Sequence, residues 1–205
     1  MVMEFASLGS LYEYLKSNTN MTWETKIKAL HDISMGLNHL HDSNLIHQDL
    51  HPGNLLFSSN AGEDFLNIAD LGLCRPSNQG LRPRIPYNVP RFITKLIMQC
   101  WDARPDKRPT SKVLYQKIKE WYYDIRRNRK SEFTAQIENA EKTSEHSSTY
   151  DALAEPHYKS HPNAIYSSRL LNFTNLSPPV NDSSFDEQLE KLLEDENDSE
   201  FVIRF

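Results

Sequence analysis

Ile46-His47-Gln48-Asp49-Leu50-His51-Pro52-Gly53-Asn54-Leu55-Leu56-Phe57 sets a carboxylate, Asp49, and an amide, Asn54, in one polar loop between short apolar runs. Pro52 and Gly53 punctuate its centre, so the chain must turn there and cannot run on as helix. The flanking Leu45-Ile46 and Leu55-Leu56-Phe57 are too short for helices and read as strands, as does Leu66-Asn67-Ile68 further on. A second acidic loop, Asp70-Leu71-Gly72, follows that last run. Two loops at strand ends therefore deliver two carboxylates and an amide.

Upstream, Thr22 is an N-cap with Glu24 in the first turn behind it, and Trp23, Ile27, Leu30, Ile33, Leu37 and Leu40 recur at helical spacing. One face of this helix is expected to be buried, and the other, with Lys28, Asp32, Asn38 and Asp42, to face water. Downstream, a helix is expected over Arg91 to Trp101, with Phe92, Ile93, Leu96, Ile97 and Cys100 inside. Another starts from the cap Thr110 and carries Val113, Leu114, Ile118, Trp121 and Ile125. From about residue 128 Ser, Asn, Glu and Lys dominate, which places a boundary near Arg126: a folded unit over 1–126 and a polar, disordered tail over 127–205. Within that tail Phe185, Leu189, Leu192 and Leu193 outline a brief amphipathic helix near 184–194.

The chain has 205 residues, with Lys plus Arg 23 against Asp plus Glu 28 and a net charge of -5. That balance gives no global pull toward nucleic acid or an anionic membrane surface, so neither is expected as a partner. Cys74 and Cys100 are the only cysteines and lack CxxC spacing, which fits two ordinary thiols in a reducing compartment. No basic leader and no apolar run of membrane-spanning length is visible, so a cytoplasmic location is the expectation. The acidic residues of 182–200 read as a solvated tail, with a protein partner for that tail as the candidate alternative.

The run from His47 to Asn54 resembles the protein kinase catalytic loop, His-Arg-Asp followed by four residues and Asn, with Gln48 in place of Arg. Asp70-Leu71-Gly72 resembles the kinase Asp-Phe-Gly motif. Gly80-Leu81-Arg82-Pro83, Ile85-Pro86-Tyr87, Cys100-Trp101-Asp102 and Pro105-Asp106-Lys107-Arg108-Pro109-Thr110 are similar to the last third of tyrosine-kinase-like domains. Asn163-Ala164-Ile165-Tyr166 is similar to tails in a large fungal set of such kinases, and Val2-Met3-Glu4-Phe5-Ala6 resembles the kinase hinge.

The resemblance implies an α+β, protein-kinase-like fold: a mainly helical C-lobe with short β-hairpin catalytic and magnesium loops, ATP and Mg2+ as cofactors, and an unidentified protein substrate. It implies Asp49 as the catalytic base and Asn54 and Asp70 as metal ligands, because the transferred phosphoryl group needs hard oxygen ligands for magnesium and a base beside the incoming hydroxyl. It implies Met3 as gatekeeper, backbone groups of Glu4 and Ala6 facing adenine, Ser10 near the ribose and Leu56 stacked under the base. His47, Trp101 and Arg108 are implied as structural residues, Trp101 filling the lobe's core and Arg108 normally paired with a glutamate. With Gln48, control through a phosphorylated activation loop is not expected. His51 reads as a solvated loop histidine.

Measured against that pattern, no Gly-rich loop or N-lobe lysine precedes Met1, and only 38 positions separate Asp70 from Arg108, with the central helix lacking around 75–82. The N-lobe and a central C-lobe segment are thus expected to be missing, the core to close abnormally, and Arg108 to lack its carboxylate. The functional expectation is ATP-dependent phosphoryl transfer to protein Ser, Thr or Tyr hydroxyls in the parent family, impaired in this truncated chain. The alternative is an inactive kinase remnant acting as a binding module, or an incomplete gene model.

Overall fold

Thr22 accepts a hydrogen bond from the Thr25 amide and so opens helix α2 (Trp23–Asp42), the element on which the others are assembled. In the computed structural model, which describes residues 6–18, 21–47, 49–60, 63–70, 85–86, 88–146 and 180–194, it is preceded by α1 (Leu11–Ser17). After it come strands β1 (Leu55–Asn60) and β2 (Glu63–Ile68), then α3 (Arg91–Cys100), α4 (Ser111–Arg126), α5 (Glu132–His146) and α6 (Ser183–Glu194). Single 3-10 turns, Pro52–Asn54 and Pro105–Lys107, sit ahead of β1 and between α3 and α4. The helical majority with one small sheet is consistent with part of a kinase-like fold.

The strands form an antiparallel hairpin in register Leu55 with Ile68, Phe57 with Leu66 and Asn60 with Glu63. Alternation sends Leu55, Phe57 and Leu66 inward, where they bury against Ala29, with Tyr14, Ile33 and Ile68 around them. The fit is close: a Cβ on Gly36 would lie 3.0 Å from the Ile68 Cδ1, so glycine lets the hairpin approach α2. A second, larger core lies elsewhere on α2, where Trp23 and Ile27 meet Ile93 and Leu96 of α3, Ile118 and Trp121 of α4, and Phe133, Ile137 and Ala140 of α5.

Because α2 serves two cores, part of its expected polar face is buried, while Asp42 stays exposed. Asp32 and Asn38 are 9% and 8% exposed. The Asp32 carboxylate accepts from Lys28 Nζ at 3.0 Å, pairs with His31 Nδ1 at 3.1 Å, and takes the backbone N–H of Leu66 at 3.2 Å. Burial pushes this carboxyl up, and the bonds from His31, Lys28 and Leu66 outweigh it, leaving it below its ordinary value. An amide on β2 is thereby satisfied from the helix. Asp32→Ala, which strands the Leu66 N–H, is expected to cost about 2–3 kcal/mol in urea unfolding. A cost like that of an average surface change, within about 0.5 kcal/mol, would contradict this account.

Two further expectations are corrected. Leu45-Ile46 lies in no strand, and its side chains are 54% and 66% exposed; the pair follows the α2 C-cap, where the Leu45 N–H turns back to the Leu40 carbonyl. The polar composition after 127 does not prevent helix α5, whose Phe133, Ile137 and Ala140 recur at four and three and enter the main core. Where the short stretch between Asp70 and Arg108 leads to an expectation of an open core, α5 supplies apolar surface: Phe133 stacks on Trp121 at 4.8 Å between centroids, and Phe92 meets both rings edge-on. Its polar residues also cap other helices. Glu141 accepts from the Trp23 N–H at the start of α2, and Gln136 accepts from the Phe92 N–H near the start of α3, whose own N-cap, Pro90, offers no side-chain bond.

α6 covers the segment where the apolar spacing of the tail points to a helix. No described helix is long and apolar enough to cross a membrane.

Candidate active site

His47 is 2% exposed and joins the two acidic loops. Its Nε2 lies 2.8 Å from the Ala69 carbonyl, the residue before Asp70, and its Nδ1 accepts from the Asp49 amide at 3.3 Å. With Nδ1 accepting, Nε2 carries the proton and donates to Ala69. Asn54 closes the same unit. Its Nδ2 donates to the Asp49 carbonyl at 3.0 Å, and its backbone carbonyl accepts from the Ala69 N–H at 2.8 Å. Asp49, Asn54 and Asp70 are thus tied together through the main chain by one buried imidazole and one amide.

Asp70 has φ 58°, a left-handed conformation uncommon for a residue with a Cβ but tolerated by aspartate. The reversal sets it apart from the strand-like backbone of β2, and its side chain is exposed. Asp49 is also open to water, with its side chain 50% exposed, and His51 Nε2 stands 3.9 Å from its Oδ2, beyond hydrogen-bond length. His51 turns its Nδ1 inward to accept from the Gly53 amide at 3.0 Å. Gly53 is required for this, because a Cβ there would sit 2.7 Å from the His51 Cε1. His51 is therefore held against its own turn while its side chain stays half exposed, as expected of a solvated loop histidine.

Of the residues expected around a nucleotide, Met3 and Glu4 lie outside the described residues, as do Gln48 and the 75–82 junction. Ala6 is half-buried. Ser10 and Leu56 are brought together as an antiparallel bridge, framed by Leu8 N–H to Phe57 carbonyl at 3.2 Å and Phe57 N–H to Gly9 carbonyl at 2.9 Å. The Ser10 hydroxyl is engaged in the capping box of α1, donating to Glu13 Oε2 at 3.1 Å and accepting from the Glu13 N–H at 3.3 Å.

Magnesium fits the donor set available. The Asn54 Nδ2 is committed to Asp49, which leaves its carbonyl oxygen as the ligand atom, and Asp70 adds an exposed carboxylate. Two hard oxygens suit an ion that keeps water and binds phosphate oxygens for the rest of its shell. Among the described residues no group of three or more His, Cys, Asp or Glu could hold a metal without such help.

Trp101 departs from its expected surroundings. Trp101 follows α3 as its C-cap and packs half-buried against Met98, Phe185 and Leu189, in a cluster apart from the main core. Its position at the helix end brings it against α6. Arg108 spends its donors on backbone, Nε to the Asp102 carbonyl at 2.6 Å and Nη2 to the Ala103 carbonyl at 3.4 Å. The residue that sequence reasoning passed over is Asp102, 2% exposed, which accepts from the Arg104 backbone N–H, Nε and Nη2, each at 2.9 Å. Its place between Trp101 and the Pro105 turn is the only local signal of that role.

The family described as "Protein tyrosine and serine/threonine kinase" matches residues 1–81. A putative serine/threonine-protein kinase/receptor R818 of Acanthamoeba polyphaga mimivirus is 27% identical over 171 residues, covering 53% of this chain and 10% of the relative. The probable serine/threonine-protein kinase roco11 of Dictyostelium discoideum is 24% identical over 193 residues, covering 61% and 13%. The serine/threonine-protein kinase ATG1c of Arabidopsis thaliana is 31% identical over 121 residues, covering 58% and 16%. The chain thus spans between 10% and 16% of the length of these relatives. Residues 1–81, which hold both acidic loops, are thus similar to the protein kinase family.

Proposed function

We propose that the Asp49–Asn54 loop and Asp70 form the magnesium and phosphate side of a kinase cleft, serving phosphoryl transfer from ATP to a protein hydroxyl. The observation that carries this reading is the His47 link to Ala69, which couples the base-bearing loop to the metal-bearing one. Asp49, open to water and fixed by its backbone, orients the incoming hydroxyl and accepts its proton. The Asn54 carbonyl oxygen and the Asp70 carboxylate hold magnesium, which when bound neutralises charge on the phosphate oxygens. Met3, the backbone of Glu4 and Ala6, and Leu56 take the adenine, with Ser10 toward the ribose once its hydroxyl exchanges partners. Serine or threonine is the favoured acceptor, since the relatives bear serine/threonine kinase names. Membership of the tyrosine-kinase-like group rests on the 100–110 block, and the folded unit extends past Arg126 to take in α5.

A second reading, a kinase-derived binding module without transfer activity, is favoured by the 38 positions between Asp70 and Arg108. Calorimetric titration with Mg-ATP, alongside transfer of labelled phosphate to an acceptor protein, separates the two. Asp70→Asn is expected to weaken Mg-ATP binding about tenfold or more. Asp49→Asn is expected to leave binding nearly unchanged while lowering transfer by about 10²–10⁴. Transfer in the unaltered chain supports the first reading; nucleotide binding without transfer, or no magnesium-dependent nucleotide binding, sinks it in favour of the module.

A further inference from the structure

α6 lies on the lobe by a different logic from α5. Its Phe185 and Leu189 are buried with Met98 of α3, and Ile85, Trp101 and Leu192 close around them as a satellite cluster separate from the two cores on α2. The remaining faces of the helix are exposed and largely acidic, with Asp186, Glu187, Glu190 and Glu194. It brings its own N-terminal cap, Asp182 Oδ1 accepting from the Phe185 N–H at 2.9 Å. A helix of 12 residues is marginal in water by itself, so its order depends on the face it covers.

That face also reads polar groups. The Asn181 Oδ1 accepts from the Ala103 N–H at 2.8 Å, and its Nδ2 donates to Asp102 Oδ1 at 3.1 Å and to Asp186 Oδ1 at 2.9 Å. Arg104 Nη2, held by Asp102, reaches Asp186 at 3.1 Å. One asparagine thus matches a backbone donor and a buried carboxylate, while an arginine selects an acidic residue one turn into the helix. Apolar anchors at i, i+4 and i+7 with one polar tether at each side are the features of an amphipathic helix bound in a groove.

We propose that residues 181–192 are a detachable docking segment, and that the Met98, Trp101 and Asp102–Arg104 face is its acceptor site, reading Asn-x-x-x-Phe-Asp-x-x-Leu-x-x-Leu. In the intact chain the segment occupies its own acceptor, favoured by its tether. The chemistry that fills the face is an acidic amphipathic helix, and the occupant is this chain's own. The inference is independent of catalysis at Asp49.

The test uses the full chain carrying Phe185→Ala and Leu189→Ala together, with a fluorescein-labelled peptide of residues 180–194 as ligand. Anisotropy titration is expected to show the peptide binding this chain about tenfold or more tighter than the unaltered chain, whose own α6 competes. A peptide with Asp186→Lys is expected to bind several-fold more weakly, and the substituted chain to keep a cooperative thermal transition by circular dichroism. Equal peptide affinity for both chains overturns the proposal, because the face is then no acceptor. Loss of the cooperative transition also overturns it, because α6 then belongs to the folding core.

Discussion

Asp102→Ala is expected to destabilise the chain by about 3 kcal/mol at neutral pH, a large share of the ~5–15 kcal/mol that holds a domain folded. The carboxylate is 2% exposed by residue and gathers the backbone and guanidinium of Arg104 together with the Asn181 amide. Removing one partner of a buried charged pair costs up to about 3–5 kcal/mol. The lower figure applies because Arg104, 52% exposed, can turn to water, whereas the Arg104 N–H and the Asn181 amide lose a buried acceptor.

The same substitution carries a pH signature. The bonds from the Arg104 side chain, opposed by burial and joined by the Arg104 amide, Asn181 and the Arg104 charge, hold the Asp102 carboxyl well below its ordinary value of 3.8. A depressed carboxylate contributes stability that is fully present above the unfolded value and is lost as pH falls toward the folded one. The gap between the unaltered chain and Asp102→Ala, measured by urea unfolding, is therefore expected to be constant from pH 7 to about 5 and to narrow below about pH 4. A gap that stays unchanged at pH 2.5 would show that the carboxylate is not the source.

Phe133→Ala is expected to cost about 3–5 kcal/mol, the range for deleting a buried aromatic ring. Phe133 is 4% exposed and lies parallel to Trp121 with planes 7° apart, so its loss opens a void against a ring that cannot collapse into it. Were residues beyond 127 a solvated tail, the same change would register within about 0.5 kcal/mol. Thermal or urea unfolding of this single variant therefore decides whether α5 belongs to the folded unit.

The elements whose limits were legible are those fixed by local chemistry. Thr22 and Thr110 cap α2 and α4 through bonds to residues three positions on, and the hairpin strands carry their own alternation. What sequence could not show were the effects of distant partners. Asp32 looks like a surface residue until β2 presents the Leu66 amide from 34 positions away. α5 was hidden because Phe133, Ile137 and Ala140 stand in a polar background, and periodicity so thin acquires meaning only beside Trp121. At the candidate site the residue types and spacing were readable, while the joint between the loops, His47 to Ala69, spans 22 positions and is visible only once folded. For Trp101 the resemblance implies the lobe's core, whereas a tryptophan at a helix end says nothing of which neighbour covers it.

The cap that Glu141 gives to α2 reaches back 118 positions along the chain. Ribosomes add about 5–20 residues per second, so roughly 6–24 s of synthesis separate the emergence of Trp23 from that of its partner. Over that interval the nascent chain carries the Trp23 and Ile27 face of α2 without the α5 side of its shelter.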